Sequence, residues 1–244
     1  MSSEMNISMP VPQTTPPIVM IRALGLIAAI CGLIIVSAYQ GTFDAVQENK
    51  RIAVERAVFK VIPAAKSIVE YLALADGKLE KVGAGGTAQA GSAANMGTAI
   101  TAGAVKFFAG YDEQGKLVGI AAEGAAKGYA DYVRILFAYD PVQQTVTGFG
   151  VVSSRETPGI GDKILVDKDF LANFPLVAKL REDSQALTKE IRAVKHGTKT
   201  NPWEIDAIAG ATITSRAVGK AINDTAQTLL PRIAPQLDQL KEKS

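Results

Sequence analysis

Thiols, imidazoles and aromatic rings are scarce in this chain of 244 residues. There is one cysteine, Cys31, and one histidine, His196. An internal disulfide is therefore impossible, and zinc or iron–sulfur ligation, which takes several thiolates or imidazoles, is not expected. Aromatic residues make up 6% and include a single tryptophan, Trp203, which reads as a packing residue rather than as one side of an aromatic pocket. Neither charge sign dominates: 26 Lys and Arg against 24 Asp and Glu leave +2, which argues against a nucleic-acid partner. No nucleophile with a neighbouring base is recognisable, so no catalytic residue is assigned. His196 reads as a surface loop residue.

What the chain does contain is a long apolar run. Residues 18–39 carry one charge, Arg22, and as a helix would extend roughly 33 Å, enough to cross a bilayer core. A transmembrane helix is expected, because the run is long for a signal-peptide core and Ser37-Ala38-Tyr39 is a poor cleavage site. Arg22 on one side and Lys50, Arg51 and Arg56 on the other leave its orientation open. Residues 1–17, polar with four prolines, read as a flexible tail.

Beyond the apolar run, Asp44 to Val61 has spaced apolar residues that predict a helix ending at Pro63, and Ala64 to Ala75 suggests a second. Asp76-Gly77 reads as a turn into a short strand. The stretch from Gly83 to Gly103 is rich in Gly, Ala, Ser and Thr and lacks the Lys-Ser/Thr ending of a phosphate loop, so a mobile segment or insertion is expected. Strands are predicted at 104–109, 117–123, 129–139 and 145–153. Val133, Ile135 and Phe137 alternate with Tyr132, Arg134 and Leu136, the pattern of a half-buried antiparallel sheet. A helix over 168–180, a strand over 190–194 and a turn at Thr200-Asn201-Pro202 follow. A last helix ends where Pro231 interrupts it, leaving a solvated charged tail.

Two short motifs carry chemistry. In the run from Ile205 to Ser215, Gly210 and Ala211 allow another group close to the backbone, and helical spacing begins immediately afterwards at Val218, Ala221, Ile222, Thr225 and Leu229. Thr212 thus stands at a helix N-terminus, where free amides and the helix dipole favour an anion and the hydroxyls of Thr212, Thr214 and Ser215 add hydrogen bonds. The plainer reading is that Thr212 or Thr214 caps the helix. The second motif is Glu156-Thr157-Pro158-Gly159-Ile160-Gly161-Asp162-Lys163. By itself Thr-Pro-Gly is an ordinary turn.

The run Asp206-Ala207-Ile208-Ala209-Gly210-Ala211-Thr212 resembles the Asp-x-x-Ser/Thr-Gly-Ala-Thr signature of the covalent FMN-binding domain family, and Glu156 to Lys163 resembles a loop of the G subunit of Rnf-type ion-translocating oxidoreductase complexes. The related C subunit of the sodium-pumping NADH:quinone reductase shares the start of that loop but usually lacks its Asp-Lys ending. Ala209 departs from the signature, which has Ser or Thr there. The resemblance covers roughly residues 115–230. It implies one FMN per chain, esterified through its phosphate to Thr212, with Gly210, Ala211, Thr214, Ser215, Glu156, Thr157 and Gly159 around it. It also implies an electron-transfer subunit of a ferredoxin:NAD oxidoreductase complex with no independent activity. Its partners would be the A, B, C, D and E subunits and a flavin transferase that modifies Thr212. The flavin domain would lie on the outer, periplasmic side of the inner membrane. The expected fold class is α+β, a transmembrane helix followed by an antiparallel-sheet FMN-binding domain with packed helices. Its divisions are a tail at 1–17, the membrane helix at 18–39, a helical region at 40–75, a mobile region at 76–103, the flavin domain at 104–230 and a tail at 231–244. A flavin subunit of another membrane reductase and a non-redox assembly protein are the alternatives.

Overall fold

The computed structural model describes residues 16–82, 103–183 and 185–241. The expected flexible tail at 1–15 and most of the expected mobile region, 83–102, lie outside the described residues. Two compact units are present, residues 1–48 and 49–244. The first consists of the greater part of helix α1 (Pro17–Val61), whose side chains from Ile18 to Val36 are exposed and whose most apolar window has a mean hydropathy of 2.6. Among the described residues it is the one helix long and apolar enough to cross a membrane. Sequence reading divides this stretch at residue 40, but the helix is continuous. Nothing there breaks it, since Gly41 alone is a weak breaker and the Thr42 hydroxyl donates to Ala38 O at 2.8 Å without interrupting the turn.

The second unit is built on a seven-stranded sheet, antiparallel throughout, in the order β2-β1-β3-β4-β5-β6-β7. Its strands are β1 (Ser67–Ala73), β2 (Leu79–Val82), β3 (Val105–Tyr111), β4 (Leu117–Lys127), β5 (Tyr132–Asp140), β6 (Thr145–Ser153) and β7 (Leu176–Val177). A separate parallel pair, β8 (Arg192–Val194) and β9 (Glu204–Asp206), leads into helix α3 (Thr212–Ile233). A one-turn helix, α2 (Lys168–Leu171), precedes β7, and another, α4 (Leu237–Leu240), closes the described chain.

The strands alternate with period two, and both faces are apolar. Phe107, Ala109 and Tyr111, Ile120 and Ala122, Ile135, Phe137 and Tyr139 face the larger core, which α3 covers with Val218, Ala221, Ile222, Ala226 and Leu229. Phe108, Ala121, Leu136 and Ala138 face the other way, onto Val58 and Ile62 from the end of α1 and the turn after it. The half-buried sheet read from Tyr132, Arg134 and Leu136 is thereby corrected: Leu136 is fully buried, because an element remote in sequence covers that face.

Three other expectations fail for identifiable reasons. Residues 64–75, expected helical, contain β1, where Val69, Tyr71 and Ala73 point inward at period two and pairing with β2 and β3 overrides helix propensity. The helix expected over 168–180 stops at Leu171, because Pro175 cannot donate and disfavours helical backbone at Phe174. The tail expected after Leu230 is folded. Helix α3 runs through Pro231 to Ile233, where Ile233 and Leu240 are buried, Arg232 donates to the carbonyls of Ala73 and Gly103, and Lys241 O accepts from Leu117 N at 3.1 Å. The helix bond lost at proline is small beside that burial.

Candidate functional site

Strand β9 and the turn after it aim the Gly-Ala-Thr run. Glu204, the first residue of β9, is buried and accepts from Thr200 N at 3.2 Å and Asn201 N at 3.1 Å, and pairs with Arg192 of β8 at 3.1 Å. The Thr200 amide, followed by Arg192 and Asn201, outweighs desolvation and holds its carboxyl down at about 2, against an ordinary 4.5. A folded-state pKa below the unfolded one means stability that is full above about pH 4.5 and is lost as pH falls towards 2. Glu204→Gln is therefore expected to melt below wild type at pH 7, with the gap closing across that window, as thermal melts at stepped pH would show.

At the other end of β9, Asn173 ties the strand to α2. Its Oδ1 accepts from Asp206 N at 2.8 Å and from Lys199 Nζ at 2.9 Å, and its amide donates to Phe170 O at 2.9 Å. Nothing local in the sequence marks Asn173, which stands 33 positions before Asp206. Asp206 Oδ1 accepts from Gly197 N at 2.7 Å, and the exposed ring of His196 lies beside it, its Nδ1 3.1 Å from Ala207 O.

Helix α3 begins at Thr212, and its cap position is Ala211, whose side chain offers no hydrogen bond. Among the described residues no side chain accepts from the first-turn amides, at the positive end of a helix of 22 residues. The three hydroxyls there divide sharply. Ser215 is fully buried, donates to Ala211 O at 2.9 Å and accepts from Ile208 N at 3.1 Å, so it stitches the turn to the helix and faces no ligand. Thr214 is buried and donates to Glu156 Oε2 at 2.6 Å. Thr212 alone is accessible, with only a long contact of 3.4 Å to Ile208 O. Beside it Gly210 adopts φ +83°, a left-handed conformation suited to glycine, and no atom lies within 4 Å of where a Cβ would stand. Arg216, exposed, follows four residues after Thr212, one helical turn along the same face.

The bond from Thr214 to Glu156 joins the two motifs, 58 residues apart in sequence. Glu156 Oε1 also accepts from Ala130 N at 3.1 Å, on the loop between β4 and β5. Thr157 is exposed, and its carbonyl closes the following turn by accepting from Ile160 N at 3.2 Å and Gly161 N at 2.9 Å. Gly159, at φ +76°, sits at the tip of that turn facing open space. An open cleft of about 360 Å³ lies between the end of β6 and this loop, lined by Val151, Ser153, Glu156, Asp162 and Leu165 among others. Trp203 belongs elsewhere. It lines a second cleft with Lys179 and Pro202, and Lys189 Nζ lies 5.7 Å from its ring centre.

Residues 128–227 match the family model described as the FMN-binding domain. The match takes in Glu156, Thr157, Gly159 and the whole turn from Asp206 to Ser215. The chain is 34% identical over 110 residues to the G subunit of the ion-translocating oxidoreductase complex of Pasteurella multocida, an overlap of 45% of this chain and 50% of that protein. It is 33% identical over 114 residues to the G subunit of the Na(+)-translocating ferredoxin:NAD(+) oxidoreductase complex of Acetobacterium woodii, covering 46% and 50%. The matched region thus spans about half the length of these curated relatives. The fold is similar to that of NqrC of Shewanella oneidensis, with a TM-score of 0.60 over 80% of this chain and 99% of that one at 23% identity.

The residues present fit FMN at its phosphate end. An uncapped helix N-terminus, an open glycine and an accessible hydroxyl form a neutral-to-positive donor set that an anionic phosphate ester satisfies.

Proposed function

We propose that this chain is the G-type electron-transfer subunit of a membrane-bound, ion-translocating ferredoxin:NAD oxidoreductase complex, carrying one FMN esterified to Thr212. The observation that carries the reading is the division of hydroxyls at α3: Ser215 and Thr214 are committed inside the protein, and Thr212 is left accessible at the uncapped helix end. The names of the relatives and the FMN-binding domain support it. Bound FMN supplies reversible electron storage, and the chain supplies attachment, orientation and electrostatic surroundings. Gly210 leaves room beside the ester, the first-turn amides of α3 face its charge, and Arg216 stands one turn away.

Attachment is the work of a flavin transferase with FAD as donor. The Thr212 oxygen takes the FMN phosphoryl group, the FAD pyrophosphate bond breaks, and AMP leaves while the hydroxyl proton is released. Glu156 lines the cleft that receives the flavin ring, and the turn from Thr157 to Gly159 follows it in the chain. The apolar part of α1 spans the inner membrane, the flavin domain lies on its outer side, and the remaining subunits of the complex, the flavin-bearing D subunit among them, exchange electrons with it. The chain by itself turns over no substrate.

Intact mass and in-gel flavin fluorescence of the chain co-produced with a flavin transferase test the reading. A gain equal to FMN minus water, with fluorescence that survives denaturation, is the expected result. Ala209 gives a graded version of the test. It is exposed beside Gly210, where the signature has a hydroxyl, and Ala209→Ser is expected to raise flavin occupancy, read as the modified fraction in the mass spectrum at limiting transferase.

A further inference from the structure

We infer that Glu156 is a positioning residue for the flavin, acting in two ways: it locks the flavin-bearing end of α3 to the two loops beside it, and its buried negative charge lowers the flavin's midpoint potential. The inference rests on the reading that Thr212 carries FMN.

The lock is visible in the geometry. Glu156 is only 9% exposed. Its carboxylate accepts from the Thr214 hydroxyl at 2.6 Å, from Ala130 N at 3.1 Å and, more loosely, from Asp131 N at 3.5 Å. These donors sit on α3, two residues after Thr212, and on the loop between β4 and β5, while Glu156 itself opens the Thr-Pro-Gly turn. Two glycines make the space. A Cβ at Gly128 would stand 2.4 Å from Glu156 Oε1, and one at Gly161 would stand 2.5 Å from Glu156 Cβ. Three segments thus close around one carboxylate, which holds the first turn of α3 through the Thr214 hydroxyl.

The charge is the second half of the argument. Among the described residues no Lys, Arg or His nitrogen lies within 4 Å of the Glu156 carboxylate, so its partners are neutral N–H and O–H groups and the positive end of α3. A mostly buried carboxylate with no cation in contact keeps more of its field than an exposed one, because fewer waters screen it. Glu156 also lines the open cleft beside the end of β6. Reduction adds electrons to the flavin, and a fixed negative charge beside that cleft opposes it.

Two variants separate lock from charge, both measured on the full chain loaded by a flavin transferase. Glu156→Gln removes the charge and keeps one acceptor. In its flavin-loaded fraction the midpoint potential is expected to rise, so that at a fixed applied potential the ratio of reduced to oxidised flavin grows at least tenfold, the order set by one unit charge about 12 Å away at an effective dielectric near 20, and more if the ring lies nearer. Thr214→Val removes the hydroxyl and keeps the charge. It is expected to lower melting temperature and flavin occupancy while leaving the potential of the loaded fraction where it was. An unchanged potential in Glu156→Gln overturns the charge role, and wild-type melting and occupancy in Thr214→Val overturn the lock. A wild-type chain that takes up no flavin beside an active transferase overturns instead the reading underneath, and this inference with it.

Discussion

Thr212→Ala emerges from co-production with a flavin transferase without covalent flavin: no mass gain, and no fluorescence in a denaturing gel. The loss is expected to be complete, because the other two hydroxyls of the turn cannot take the place of Thr212. Ser215 is enclosed between Ala211 O and Ile208 N, and Thr214 is turned inward to Glu156. Stability is expected to change by no more than about 0.5 kcal/mol, since the Thr212 hydroxyl has only a contact of 3.4 Å and alanine is the better helix former. A melting curve matching wild type beside an absent flavin band therefore assigns the defect to the missing oxygen. Thr212→Ser, which keeps an oxygen at the same position, is expected to retain part of the modification. Should the native chain gain no mass while the transferase modifies another substrate, Thr212 is simply the first residue of a helix.

The largest structural effect is expected at Gly124, in the middle of β4. A Cβ there would stand 2.6 Å from the backbone carbonyl oxygen of Ala221 and 2.8 Å from Thr225 Oγ1, so strand and helix α3 meet almost backbone to backbone. A side-chain end can swing aside, but the carbonyl of a regular helix can move only if α3 lifts from the sheet. Gly124→Ala is expected to cost about 1–3 kcal/mol, the range for overpacked cores. For a domain of this size that lowers the melting temperature by roughly 2–12 °C. Since α3 begins at Thr212, the same displacement disturbs the flavin end, and occupancy is expected to fall with stability. Gly148→Ala is the control: no atom lies within 4 Å of its added Cβ, and the change is expected to stay within about 0.5 kcal/mol. Equal melting of the two variants would contradict the close approach of β4 and α3.

Much of the sheet was legible because strands β3 to β6 repeat apolar residues at period two between turn residues. The predicted 117–123 and 145–153 fall on β4 (Leu117–Lys127) and β6 (Thr145–Ser153). Errors gathered where local and distant forces disagree. Ser67–Ala73 lies in a run that reads as helical, and pairing with β3 makes it a strand. Pro231 reads as a stop, yet the burial of Ile233 and Leu240 carries the chain on. Leu136 reads as an outward residue of a half-buried sheet, and only the end of α1 shows why it is covered.

The site divides in the same way. The residue types of the Gly-Ala-Thr run, the start of a helix at Thr212 and the long apolar run of α1 follow from the order of the amino acids, because a turn, a helix start and a span are set by neighbours within a few residues. That Thr214 is occupied while Thr212 is accessible does not follow, nor that Glu156 is the acceptor for Thr214 or that Asn173 holds β9. Those contacts join residues 58 and 33 positions apart. Their geometry exists only once the sheet has closed and α3 has packed on it, for a buried hydroxyl or carboxylate takes whichever partner the fold brings within 3 Å.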